Sequence, residues 1–157
     1  MAATPPKRDY RCPDFVPTFT GRGFTPLNPL PDQVRVMDIA FGLGRTARFA
    51  GHSTHFYSVA EHSILGARWI VSHTGLINPA MQFLLHDAAE AYGADLQRPV
   101  KKLTQMQPND GGEVTYREYE EHLQGVIEEA LEMPDWTHRE LSKMVDRRLL
   151  ISEAHAM

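Results

Sequence analysis

The 157 residues carry 42% hydrophobic and 23% charged side chains, ordinary proportions for one domain long enough to bury a core. A net charge of −4 and a pI near 6.0 exclude a broad cationic face of the kind that grips nucleic-acid backbones. One cysteine, Cys12, excludes an intrachain disulfide and has no evident role; no apolar run reaches the roughly 18–20 residues of a membrane span, and the start holds no apolar signal core, so a cytoplasmic protein is expected.

Residues 1–31 are punctuated by Pro5, Pro6, Pro13, Pro17, Pro26, Pro29 and Pro31 and form a segment leading into a domain at 32–157. The first ten are expected to be disordered, and Thr18–Phe24 to form a short strand or hairpin around Gly21-Arg22-Gly23. Val36, Ile39, Ala40, Leu43 and Ala47 recur at helical spacing and predict a helix over 34–49. A loop follows at Gly51–Phe56. Ser58 and Glu61 then form a capping box that opens a helix from Val59 to Val71. Asn78-Pro79 predicts a start for the next, ending at Tyr92 before Gly93. A short helix is expected at Val100–Gln105 and a turn at Pro108–Gly112. Thr115 with Glu118 opens a helix to Leu131, stopped by Met133-Pro134, and Thr137 with Glu140 opens the last. The sum is an all-α bundle of five or more helices.

His86-Asp87 is the polar pair that this pattern places inside an apolar helix, among Phe83, Leu84, Leu85, Ala88 and Ala89. Such a pair is costly to bury unless it is hydrogen-bonded or metal-bound; it also suits a helix that turns a polar face to water. His62 in one predicted helix and Asp146 in the last stand in similar mixed settings. Two imidazoles and two carboxylates from three helices can meet at a bundle centre, and such a set suits a borderline divalent ion rather than calcium.

Four ordered strings carry a resemblance: Tyr57-Ser-Val-Ala-Glu-His-Ser, Leu84-Leu-His-Asp-Ala-Ala-Glu-Ala-Tyr, Asp95-Leu-Gln-Arg-Pro-Val-Lys and Asp146-Arg-Arg-Leu-Leu. Over about residues 36–153 the chain resembles the HD superfamily of phosphohydrolases, and within it the bacterial 5′-deoxynucleotidases and the phage dATP triphosphohydrolases. The resemblance implies that His62, His86, Asp87 and Asp146 hold one divalent transition metal (Zn, Co, Mn, Fe or Ni), with Mg allowed alongside the phosphates. It implies catalytic roles for Asp87 and for Glu90, which shares the helix face of His86 and Asp87 and would position or deprotonate water or protonate the leaving group.

The same resemblance implies substrate contacts. Asp95 would meet the sugar 3′-hydroxyl, and Arg48 the sugar and phosphate; Phe49 stands where relatives carry tryptophan and keeps an aromatic wall. Gly51 stands where a bulky side chain excludes a 2-amino group, which leaves adenine selectivity open. Lys101 and Lys143 fall in the register of lysines that reach a polyphosphate. His52 and His55 could touch phosphate or a second metal, but loop histidines of this kind are more often simply exposed. The expected activity is therefore hydrolysis of the 5′-phosphates of 2′-deoxynucleotides, leaning to a triphosphohydrolase that releases triphosphate, with a monophosphate 5′-deoxynucleotidase as alternative and a non-catalytic nucleotide sensor as the other class. The expected partners are a small-molecule nucleotide and further copies of the chain, as a dimer or hexamer, with no nucleic acid and no membrane. The expected compartment is the cytoplasm, the host's if the gene is phage-borne.

Overall fold

Proline and glycine shape the entry to the bundle. In the computed structural model, which describes residues 15–106, 113–133 and 139–156, β1 (Val16–Pro17) pairs antiparallel with β2 (Gly23–Phe24). The turn between them uses Gly21 at φ 77°, a conformation that costs glycine nothing. The hairpin is tied to α1 (Val36–Arg45) by buried Asp38, whose carboxylate accepts from the Thr20 N–H at 2.7 Å and the Thr20 hydroxyl at 2.9 Å. The disorder expected over the first ten residues, and Cys12, lie outside the described residues.

Helix α1 stops at Arg45, short of the expected 49, because the chain then turns extended. The Val59 N–H donates to the Thr46 carbonyl at 3.0 Å and the Arg48 N–H to the Tyr57 carbonyl at 2.9 Å. This short ladder takes Arg48 off the helix and sets it beside the start of α2 (Val59–Thr74). The expected capping box opens α2: Ser58 Oγ accepts from the Glu61 N–H at 3.1 Å and Glu61 Oε2 from the Ser58 N–H at 2.8 Å. A cap of this kind stabilises a helix by about 1 kcal/mol. Gly75, at φ 71°, ends α2 three residues later than the apolar pattern indicates.

Helix α3 (Ile77–Leu84) begins before Pro79, which falls in the first turn, where its missing N–H is no loss. The helix expected to continue to Tyr92 does not. Residues 85–89 form tight turns, and only then does α4 (Glu90–Gly93) follow. Next come α5 (Arg98–Lys101), earlier than the expected Val100–Gln105, and a hairpin of β3 (Gln105–Met106) with β4 (Val114–Thr115), where no strand was expected. Helix α6 (Tyr116–Ala130) opens on the expected Thr115–Glu118 box, and α7 (Arg139–Ala156) closes the fold. The turn at Pro108–Gly112, the stop at Pro134 and the cap at Thr137 lie outside the described residues.

The architecture is an all-α bundle, with seven α-helices and two short two-stranded sheets among the described residues. No described helix is long and apolar enough to cross a membrane. Two apolar clusters hold it together. One gathers Phe24, Ile39, Leu43, Ala88, Tyr92, Leu123 and Ile127; the other gathers Ile70, Ala80, Phe83 and Val145. In the second, Gly66 of α2 lets the fully buried Phe83 ring lie against its backbone, in space that any Cβ would occupy. The chain passes from the second cluster to the first between Phe83 and Ala88, and His86-Asp87 sits at the crossing.

Candidate metal centre

His62 reaches the crossing from α2, His86 and Asp87 from the broken turn after α3, and Asp146 from α7. One ligand atom from each of His62, His86 and Asp87 lies within 4.8 Å of the others. Asp146 Oδ1 stands 3.3 Å from His62 Nε2, and Asp87 Oδ2 stands 3.2 Å from His86 Nε2. Three of the four side chains named from the sequence thus group together, and Asp146 approaches that group through His62.

Both imidazoles are anchored through Nδ1. That of His62 lies 2.7 Å from Glu153 Oε1, and that of His86 lies 2.6 Å from the Phe83 carbonyl. Both partners only accept, so each Nδ1 carries the hydrogen and each Nε2 presents a lone pair inward. His62 is fully buried, and its Nε2, 3.3 Å from Asp146 Oδ1, has no hydrogen-bond partner, since with the ring hydrogen on Nδ1 neither it nor the carboxylate has a hydrogen to donate. A buried nitrogen left so costs about 1–3 kcal/mol. Its lone pair faces a carboxylate, an arrangement that calls for positive charge between them. Burial works against a charged imidazole, but Asp146 and Glu153 outweigh it and raise the His62 pKa above its usual value. A proton or a cation satisfies the same position, and two nitrogens with two carboxylates fit Zn, Co, Mn, Fe or Ni.

Glu153 is absent from the sequence reading and is central here. It accepts from His62, from the Tyr57 hydroxyl at 2.7 Å and from Arg48 at 3.2 Å. Burial opposes its charge, but the hydrogen bonds from His62 and Tyr57 hold its pKa below the usual value. The signal that could have found it is its register: seven residues, two turns, beyond Asp146 on the same helix. Carboxylates behind ligating histidines typically contribute 10–100-fold in metal affinity. Glu153→Ala is therefore expected to weaken cobalt binding by about that factor in calorimetric titration, and Glu153→Gln by less. Unchanged affinity in both would limit Glu153 to a folding role.

The remaining named residues are placed unevenly. Arg48 is nearly buried, with Nη1 3.8 Å from Asp87 Oδ2 and its guanidinium 5.4 Å from the Phe49 ring centre. Phe49, Ala50 and Gly51 run left-handed at φ 55°, 52° and 79°, strained for the first two. Gly51 is exposed with open space around it, and His52 and His55 are exposed on the same loop.

Glu90 is buried, with Oε2 unpartnered; burial first, then the charges of Asp87 and Asp95, push its pKa up to about 9. Asp95 is raised too, by burial and then by Asp87 against the pull of Arg48.

Asp87, Glu90 and Asp146 line a cavity of about 580 Å³ between α6 and α7, in which five carboxylates besides Glu90 outnumber three basic side chains. Two of those bases, Lys101 and Lys143, already have partners: Lys101 bonds both oxygens of Glu120 at 2.7 and 2.8 Å, and Lys143 bonds Glu140 at 2.9 Å in solvent. Arg48, Phe49, Gly51 and Asp95 do not line this cavity.

No protein-family model matches the sequence. The chain is 36% identical over 120 residues to the uncharacterized protein YfdR of Escherichia coli K12, covering 76% of this chain and 60% of that protein. It is 36% identical over 96 residues to an uncharacterized protein of Rhodobacter capsulatus, covering 52% of this chain and 44% of that one. The chain thus spans less than two thirds of the length of these relatives.

Proposed function

We propose that this protein is a metal-dependent phosphohydrolase acting on the 5′-phosphate of 2′-deoxynucleotides, as the resemblance to the HD superfamily implies. The observation that carries the reading is the buried His62 Nε2, without a hydrogen-bond partner and surrounded by His86, Asp87 and Asp146. These four would hold the ion. A divalent cation bound there supplies Lewis-acid polarisation of a phosphoryl oxygen and acidifies water near neutral pH.

The chain's own groups do the rest. Arg48, already 3.8 Å from Asp87, offsets phosphate charge from the side of the strained loop. Glu90 holds a proton near neutral pH and is suited to give it to the departing sugar oxygen. By the same resemblance Asp95 would accept from the sugar hydroxyl and Phe49 would wall the base, from outside the cavity between α6 and α7.

Charge favours the monophosphate version over the triphosphate one towards which the sequence leans. A phosphate monoester brings about two negative charges, a triphosphate about twice that. The cavity is already rich in carboxylates, and Lys101 and Lys143 are engaged, so a triphosphate would need Mg to accompany it. The test is incubation with dAMP and with dATP, in Mn or Co, with a chelator control. Phosphate released from dAMP is the expected product. Triphosphate released from dATP would restore the other version, and tight binding without turnover of either would favour a sensor.

Such substrates and the single cysteine suit the cytoplasm. The exposed Ile64, Leu65, Ile77 and Met81 of α2 and α3 suit self-association as a dimer or hexamer.

A further inference from the structure

We propose that the Gln124 side chain is a wedge that holds the His86-Asp87 turn open and thereby positions both residues; only the consequence for cation binding rests on the function proposed above. In a continuous α-helix the Ala89 N–H would bond the Leu85 carbonyl, four residues back. Here the Gln124 carboxamide stands between them. Its Oε1 accepts from the Ala89 N–H at 3.2 Å, and its Nε2 donates to the Leu85 carbonyl at 2.8 Å. A carboxamide offers the same donor and acceptor as a peptide group, so it enters the ladder and leaves neither group orphaned.

Around the wedge the backbone bonds shorten to a three-residue pattern. Ala88 bonds Leu85 at 3.1 Å, Glu90 bonds Asp87 at 3.0 Å and Ala91 bonds Ala88 at 3.2 Å. Gln124 is itself fixed. Its Nε2 also donates to Glu128 Oε1 at 3.1 Å, one turn along α6, and α6 is held by fully buried Leu123 and Ile127.

The consequence falls on the two residues inside the opened turn. Neighbours on a regular helix project about 100° apart and do not face each other. Yet His86 Nε2 and Asp87 Oδ2 lie 3.2 Å apart. Gln124 bonds to backbone on either side of the pair and to Glu128 rather than to the His86 or Asp87 side chain, so it acts as a positioning residue.

Gln124→Met keeps the length and bulk and removes both bonds. In the apoprotein, backbone carbon chemical shifts of residues 85–89 are expected to move to α-helical values as Ala89 closes onto Leu85. Cobalt affinity is expected to fall by about 10–100-fold, with a changed visible absorption band. Gln124→Glu, which keeps the acceptor and loses the donor, should fall between, and it carries the same test should the Met protein not fold. Ile127→Val, a mild core change on the same helix, should leave both readouts unchanged, which separates positioning from stability.

Wild-type shifts at 85–89 in the Gln124 variant would overturn the inference, whether or not cobalt binds. A closed turn with unchanged cobalt affinity would overturn the positioning role. A closed turn in a protein whose wild type takes up no cobalt would leave the wedge standing and remove the metal reading instead.

Discussion

The Asp87→Ala protein is expected to release phosphate at least about a thousandfold more slowly than wild type while remaining a folded helical protein. Asp87 is part-exposed and lies within 3.8 Å of Arg48 and 3.2 Å of His86 Nε2, so its loss opens no cavity in the core. What it removes is one of the four proposed metal ligands and a negative charge close to Glu90. Circular dichroism and a phosphate-release assay on the same preparation check both halves. Wild-type turnover in this variant would take Asp87 out of the chemistry.

Glu90→Gln is expected to lower hydrolysis by about 100- to 10,000-fold while cation binding persists, since the amide keeps the shape and cannot move the proton. The same substitution has a consequence for stability. Burial, then Asp87 and Asp95, raise the Glu90 pKa from 4.5 to about 9 in the folded protein. Between those values the native state keeps a proton that the unfolded chain has released. The stabilisation from this group is therefore full below about pH 4.5 and fades as pH rises towards about 9. Glutamine carries no such linkage. Urea unfolding of the two apoproteins at acid, neutral and alkaline pH should show the variant gaining on the wild type as pH rises. Parallel profiles would show that Glu90 titrates as an ordinary surface acid.

What could be read in advance follows the range of the interaction. The boxes at Ser58–Glu61 and Thr115–Glu118 are complete within four residues, and both open helices as expected. The all-α class follows from apolar spacing in the same local way. The end of α1 was not legible, because the strand-like pairing that stops it comes from Tyr57–Val59. The break after Leu84 was hidden more deeply. The apolar run continues through it, and the side chain that opens the ladder lies on α6, 35 residues beyond Ala89.

The candidate site divides similarly. His62, His86, Asp87 and Asp146 could be named only from the order of four family-like strings, since their spacing alone is uninformative. Glu153 stands behind His62 at a separation of 91 residues, with no motif to mark it. Lys101 looked available for phosphate because its partner, Glu120, belongs to a different helix.

Anomalous diffraction from crystals loaded with manganese or cobalt bears most directly on the claim that these helices deliver their donors to one cation. The expected result is a single peak per chain, about 2.0–2.2 Å from the Nε2 atoms of His62 and His86 and from a carboxylate oxygen each of Asp87 and Asp146. A peak bound elsewhere, or none at the crossing in fully loaded crystals, would contradict it.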